Sequence, residues 1–274
     1  MNPQPTLVSD SGLVRLATWN VNSLVPRMPR LLEWLERVRP DVVCLQETKI
    51  ATERFPRLEL TGLGYEVAAL GQGAWNGVAL LSRTGVDDIT PSLAQSVEWE
   101  GRVEARAIGA TCGGMRVWSV YVPNGREPGH AHYAYKLRWL EALQDTAAAE
   151  LRRGMPLAVC GDFNVAPTDA DVWDPLVFVA STHVTPAERD AVAQVRALGL
   201  EDVVPRPIKY DRPFTYWDYR SGMFHKNMGM RIDLVLLTST LAASVRDAYV
   251  DRDMRKGTGP SDHAPVVVDL AGPL

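Results

Sequence analysis

Asn20, Glu47, Tyr121, Asp162, Asn164, Asp233, Asp262 and His263 each stand on or just past the end of a strongly apolar run. Taken singly, an Asp or Asn in such a place mostly caps a turn, and His263 beside Asp262 reads equally well as a cap or as a working imidazole. Taken together they form a set. Carboxylates that converge repel one another unless a cation offsets them, and a Glu, Asp and Asn set offers the oxygen ligands that a hard ion such as Mg²⁺ prefers. The chemistry such a set supports is that of a bound hard cation with a carboxylate and an imidazole beside it.

The elements that must position these residues can be read from periodicity. Leu13 to Thr18 is a β-type run that ends in Trp19-Asn20-Val21-Asn22. Leu31, Leu32, Leu35 and Val38 recur at helical spacing until Pro40, and Asp41 to Leu45 then runs into Gln46-Glu47-Thr48, a β-α-β start. Strands over 65–70, 77–82, 104–110 and 116–122, separated by Gly-containing turns, read as one antiparallel sheet. Leu137, Leu140, Leu143 and Ala147 predict an amphipathic helix over 132–151, after which Leu157 to Cys160 leads into Gly161-Asp162-Phe163-Asn164. Thr185, with Pro186 after it, predicts a helix start. Arg231 to Leu237 and Pro265 to Leu270 are the final strands. Strands followed by helices in both halves predict an α/β (α+β) protein of two similar sheets packed face to face, helices outside. Residues at aligned strand ends then meet at one edge.

With 274 residues, 46% of them hydrophobic, the chain can bury a large core. One domain over 13–274 is expected behind a polar lead over 1–12, which lacks the pattern of a signal peptide. No apolar run is long enough to span a bilayer. Cys44, Cys112 and Cys160 form no CxxC pair and read as buried apolar residues in a reducing compartment. The net charge of −4 argues against indiscriminate DNA binding, so any DNA surface must come from Arg and Lys gathered on one face.

Six segments, in order, cover nearly the whole chain: Thr18-Trp19-Asn20-Val21-Asn22, Leu45-Gln46-Glu47-Thr48-Lys49, Tyr121-Val122-Pro123-Asn124-Gly125, Gly161-Asp162-Phe163-Asn164, Arg231-Ile232-Asp233 and Ser261-Asp262-His263-Ala264-Pro265. This pattern resembles the exonuclease III family, within the endonuclease/exonuclease/phosphatase superfamily that shares a DNase I-like fold. Gln46 to Lys49 and Tyr216-Trp217-Asp218-Tyr219-Arg220 resemble its abasic-site nucleases more than its phosphatases. The resemblance implies a four-layer α/β/β/α sandwich. It implies a Mg²⁺-dependent DNA-repair nuclease, with Mn²⁺ as a substitute ion, that cuts 5′ to abasic sites and has 3′ to 5′ exonuclease and 3′-phosphatase activity on duplex DNA.

Carried over residue by residue, Glu47 would be the main metal ligand, with Asn20 and Asp262; Asp162 and Asn164 would serve a second ion if one binds. Asp162 would activate water, Asn164 would hold it in line, Asp233 would keep His263 cationic against a phosphate oxygen, and Tyr121 would contact the phosphate. Asn22 and Asn124 would flank the phosphate, Tyr216, Trp217 and Met230 would form an apolar pocket for a flipped abasic sugar, with core packing the alternative for Trp217, and Asn227 would lie on a DNA-contacting loop over 222–230. Lys49 and Arg102 are further backbone-contact candidates. Val25 departs from the family pattern, where Arg is common, and leaves Arg27 or Arg30 to replace that contact. The partner expected is duplex DNA with abasic sites or damaged 3′ ends, bound by a monomer in the cytoplasm with no membrane involved. A catalytically silent nucleic-acid-binding homologue and a phosphatase of small phosphate esters are the alternatives.

Overall fold

Side-chain alternation along β1 (Leu13–Asn20) sends Leu16 into one apolar layer and Ala17 and Trp19 into another, as a period of two requires. This is the computed structural model of the chain, and it describes residues 12–272. Of the expected lead over 1–12, all but Gly12 lies outside the described residues. After β1 come α1 (Leu24–Val38), β2 (Val42–Gln46), α2 (Arg57–Gly62), β3 (Glu66–Leu70) and β4 (Val78–Ser82). Then follow β5 (Asp87–Thr90), a short hairpin of β6 (Glu98–Trp99) and β7 (Arg102–Val103), β8 (Ala107–Cys112), β9 (Met115–Tyr121) and α3 (Ala131–Leu151). The chain continues through β10 (Leu157–Asp162), α4 (Pro186–Ala197), β11 (Leu200–Asp202), β12 (Asp233–Thr238), α5 (Ser239–Ser244), β13 (Val245–Val250) and β14 (Val266–Ala271).

Two six-stranded sheets result, ordered β13-β14-β1-β2-β4-β3 and β11-β12-β10-β9-β8-β5. Each is mixed: β1 and β2 run parallel in one, β9 and β10 in the other, and their remaining neighbours are antiparallel. Leu16, Val42, Cys44 and Leu80 of the first sheet meet Ala110, Val117, Cys160 and Val235 of the second in the central layer. On the outer face of the first sheet, Leu31, Trp34 and Leu35 of α1 cover Trp19, Val43 and Leu81. Truncating a buried aromatic such as Trp34 costs on the order of 3–5 kcal/mol. On the other side, Tyr135, Trp139, Leu140 and Leu143 of α3, with Val192 and Val195 of α4, cover Trp118, Val159 and Leu236. The four-layer α/β/β/α architecture expected from the sequence is the one found.

One expectation is corrected. The middle strands do not make one antiparallel sheet: β3 and β4 belong to the first sheet, β8 and β9 to the second. Strands buried on both faces read alike in sequence, and the passage over 83–106, with β5 and the β6–β7 hairpin, carries the chain from one sheet to the other. The helix start at Thr185 is as expected, with a full capping box to Glu188. All three cysteines are buried and free. Among the described residues no helix is long and apolar enough to cross a membrane.

Candidate active site

Parallel strands place their carboxyl ends on one edge, and antiparallel partners begin there. Asn20 ends β1 opposite Gln46, so Glu47 follows directly beside it. Asp162 ends β10 opposite both Tyr121 of β9 and Asp233, the first residue of β12. His263 sits three residues ahead of β14, bridged to Tyr216. The two sheets are tied together near this edge by polar bonds: Gln46 Nε2 donates to Ser119 Oγ (3.1 Å), which donates to Leu45 O (3.0 Å).

The inner half of the site is dry. Side chains of Asp162, Asp233 and His263 are only 2%, 0% and 5% exposed. His263 Nδ1 donates to Asp233 Oδ2 at 2.8 Å, and its Nε2 lies 3.8 Å from Asp162 Oδ2. Burial alone would lower the imidazole pKa, but Asp233 and Asp162 outweigh it and push it up to about 10, so the ring is a cation at neutral pH. Tyr216 packs its ring 4.9 Å from that imidazole. Asp162 also accepts from Asn20 Nδ2 (2.9 Å), Asn164 N (2.9 Å) and Asn164 Nδ2 (3.2 Å). Burial is nevertheless the larger influence and raises its carboxyl to about 7, within reach of proton exchange near neutrality. Burial, with Glu47's charge adding, holds the Tyr121 hydroxyl well above its ordinary range, while Arg106 stacks 4.6 Å from its ring. That phenol stays a proton donor.

The outer half is wet. Glu47 accepts from Asn20 Nδ2 at 2.9 Å and pairs with Lys49 Nζ at 2.8 Å, their side chains 17% and 23% exposed. Lys49 also donates to Asn22 Oδ1 (2.9 Å), and Asn22 Nδ2 donates to Asp262 Oδ1 (3.0 Å). His263, Lys49 and the amides offset part of the acids' negative charge. Among the described residues no three His, Cys, Asp or Glu side chains cluster tightly enough to form a metal cage. Glu47, Asp262 and the Asn20 amide do fit a cation that takes one or two carboxylates and keeps most of its water.

The expected DNA-contacting residues divide. Asn124 Nδ2 reaches Asn164 Oδ1 (3.3 Å) and His183 Nε2 (3.4 Å). Tyr216 and Met230 line a cavity of about 430 Å³ with Arg126, Trp173 and His183. Trp217 does not: it is wholly buried, its indole packing edge to face on Phe224 at 5.3 Å and its Nε1 donating inward to Asn227 Oδ1. Asn227 is thereby turned toward Trp217 and Arg252 rather than outward. Arg102 lines a second cavity, of about 800 Å³, with Trp75 and Trp99; the two cavities share Arg126. Val25 is exposed near the start of α1; Arg30 is engaged by carbonyls over 254–258, whereas Arg27 reaches Tyr219 Oη beside Asn22. Sequence reasoning missed His183, whose Nδ1 lies 2.5 Å from Asn164 O. It also missed Thr215, whose Oγ1 accepts the amides of Ile232 and Asp233. For His183 the helix start at Thr185 was the nearby signal, and Thr215 directly precedes the Tyr216-Trp217 segment.

A model described as the endonuclease/exonuclease/phosphatase family matches residues 17–263. The chain belongs to that family. Exodeoxyribonuclease III of Haemophilus influenzae is 30% identical, over 92% of this chain and 98% of its own length. The DNA repair nuclease APEX1 of Danio rerio is 29% identical, over 98% and 87%. Among solved structures, the 3′ phosphatase NExo from Neisseria bound to a product DNA hairpin superposes with a TM-score of 0.89 at 35% identity, covering 94% of this chain and 99% of that one. An AP endonuclease from Archaeoglobus fulgidus gives 0.88 at 34%, with the same coverage. Within the endonuclease/exonuclease/phosphatase family, then, its relatives include nucleases of DNA repair.

Proposed function

We propose that this chain is a divalent-metal-dependent DNA-repair hydrolase that removes 3′-terminal phosphates and nucleotides from duplex DNA and nicks the duplex 5′ to abasic sites. The three reactions have a common core: water attacks phosphorus and the bond to a 3′ oxygen breaks, so one arrangement of groups serves all of them. The observation that carries the reading is the dry Asp162–His263–Asp233 array sharing the Asn20 amide with Glu47.

Glu47, with Asn20 and Asp262, would hold Mg²⁺ or Mn²⁺, whose charge screens the scissile phosphate. Asp162 takes the proton of the attacking water, and Asn164, anchored to Asp162 and to Val122 O, keeps that water in line. The His263 cation, oriented by Asp233, donates to a non-bridging oxygen as its charge grows. Tyr121 donates to the phosphate or the departing oxygen. Asn22, Asn124, Tyr216 and Met230 surround the sugar-phosphate. A monomer inside the cell, at its DNA, accords with this role, and three buried thiols suit a reducing compartment.

Single-turnover assays on duplexes carrying a 3′-phosphate, a blunt 3′ end, a nick or an abasic site test the reading. Mg²⁺-dependent cleavage that EDTA abolishes is expected on at least the first; wild-type protein that binds all four and cuts none would overturn it.

A further inference from the structure

Asn124, Asn164 and His183 lie on three irregular segments, over 122–127, 163–167 and 181–185, with neither strand nor helix to fix them. Asn164 and His183 are also held in the left-handed region, at φ 50° and 79°. Such a backbone persists only where its surroundings over-determine it.

Asp162, which accepts the Asn164 amide, supplies part of this, and a buried ion pair joins all three segments. Lys136 of α3 and Glu188 of α4 are both wholly buried, with Nζ 2.5 Å from Oε1. The same ammonium donates to Asn164 O (2.7 Å), Asn124 O (3.2 Å) and Thr182 Oγ1 (3.4 Å). Glu188 Oε1 accepts from His183 N (2.9 Å) and Thr182 Oγ1 (2.7 Å), while Oε2 accepts from Thr185 N (3.1 Å) and Thr185 Oγ1 (2.6 Å). Between them the pair grips the main chain of all three segments. Packing around it is close: a Cβ on Gly125 would come within 2.7 Å of Thr182 Oγ1 and 3.0 Å of the Lys136 stem.

Two bland explanations fall short. Capping α4 occupies only Oε2 of Glu188, which leaves Oε1 and the whole of Lys136 unexplained. Stability also fails to account for the pair, since apolar residues of similar volume commonly replace a buried ion pair at no net cost. Burial first, and then the Lys136 ammonium against the opposing charge of Glu188, hold the His183 imidazole down at about 4.

We propose that Lys136 and Glu188 are positioning residues, a buried clamp that fixes the main chain of Asn124, Asn164 and His183 so that their side chains meet the reacting phosphate in one arrangement. The proposal rests on the hydrolase reading above. Displacing reacting or orienting groups by about 1 Å can cost on the order of a hundredfold in rate, whereas binding, spread over many contacts, changes little.

The decisive variant is Lys136→Met/Glu188→Leu, which replaces the pair by apolar side chains and leaves no orphaned charge. Expected are wild-type circular dichroism and a lowered melting temperature, since the α4 cap and the main-chain bonds to Asn124, Asn164 and His183 are lost along with the charges; the rate decides. Affinity for a 3′-phosphate duplex in EDTA should stay within about threefold, and the single-turnover rate should fall roughly 30-fold. Faster hydrogen exchange should appear over 122–127, 163–167 and 181–185 alone. A purely structural pair would lower the melting temperature and leave the rate of the folded protein unchanged; a rate within twofold of wild type sinks the proposal. If that chain does not fold, Lys136→Gln/Glu188→Gln is read by the same measurements. Should wild-type protein cut no DNA, the function reading falls, and hydrogen exchange alone decides whether the clamp exists.

Discussion

The two halves of the site hold acids of the same type in opposite surroundings. Asp162 and Asp233 lie in a dry interior, where every charge faces the His263 cation. Glu47 and Asp262 lie at the wet rim, joined through Lys49 and Asn22. The difference teaches a division of labour. A dry array is preorganised and raises the Asp162 carboxyl to about 7, whereas a rim site can exchange ions and water without disturbing the core.

The sharpest way to break this comparison is Asp162→Asn. It keeps the shape but removes the proton acceptor, and the single-turnover rate should fall by roughly 10³-fold, with stability at least that of wild type because a buried carboxylate is lost. Retention of activity within tenfold would mean that the dry half is not where water is activated. Glu47→Gln acts on the rim and should cost less, about 10²-fold at low Mg²⁺, with substantial recovery as the ion is raised. Recovery of Asp162→Asn by the same Mg²⁺ titration would erase the distinction between the halves.

The smallest effect concerns the dry side away from the reacting groups. His132 Nδ1 accepts from Gly125 N at 3.1 Å. Burial, with the charges of Arg106 and Arg126, holds its pKa at about 4 against an ordinary 6.5. A folded value below the unfolded one means fewer protons are bound in the native state. Its stabilisation is therefore fully present above pH 6.5 and drains away as pH falls toward 4. The gap in melting temperature between wild type and His132→Gln should be a few degrees at pH 7.5 and close by pH 4.5; a gap that stays constant contradicts this.

Much of the site was legible because it is made of strand ends. An apolar run that stops at Asn20, Gln46 or Asp162 announces its own terminus, and terminal residues of aligned strands share an edge whatever the loops do. The layering followed for the same reason, from alternation along each strand. The middle strands were assigned to one sheet because β4, β8 and β9, buried on both faces, carry no signal that tells one sheet from another. Between pocket and core, the two readings open for Trp217, its neighbours in space, Phe224 and Arg252, decided for the core, and neither spacing nor composition states that.

By itself the sequence determined the residues at the edge, their order, the helices that follow them and the kind of chemistry they permit, since all of these depend on local periodicity and residue type. Only the tertiary structure decided which acids are dry and which are wet, that His183 joins the site, and that Lys136 and Glu188 meet 2.5 Å apart from helices 52 residues distant in sequence. Dielectric surroundings and long-range partners depend on what lies on the far side of each side chain, and folding alone supplies that.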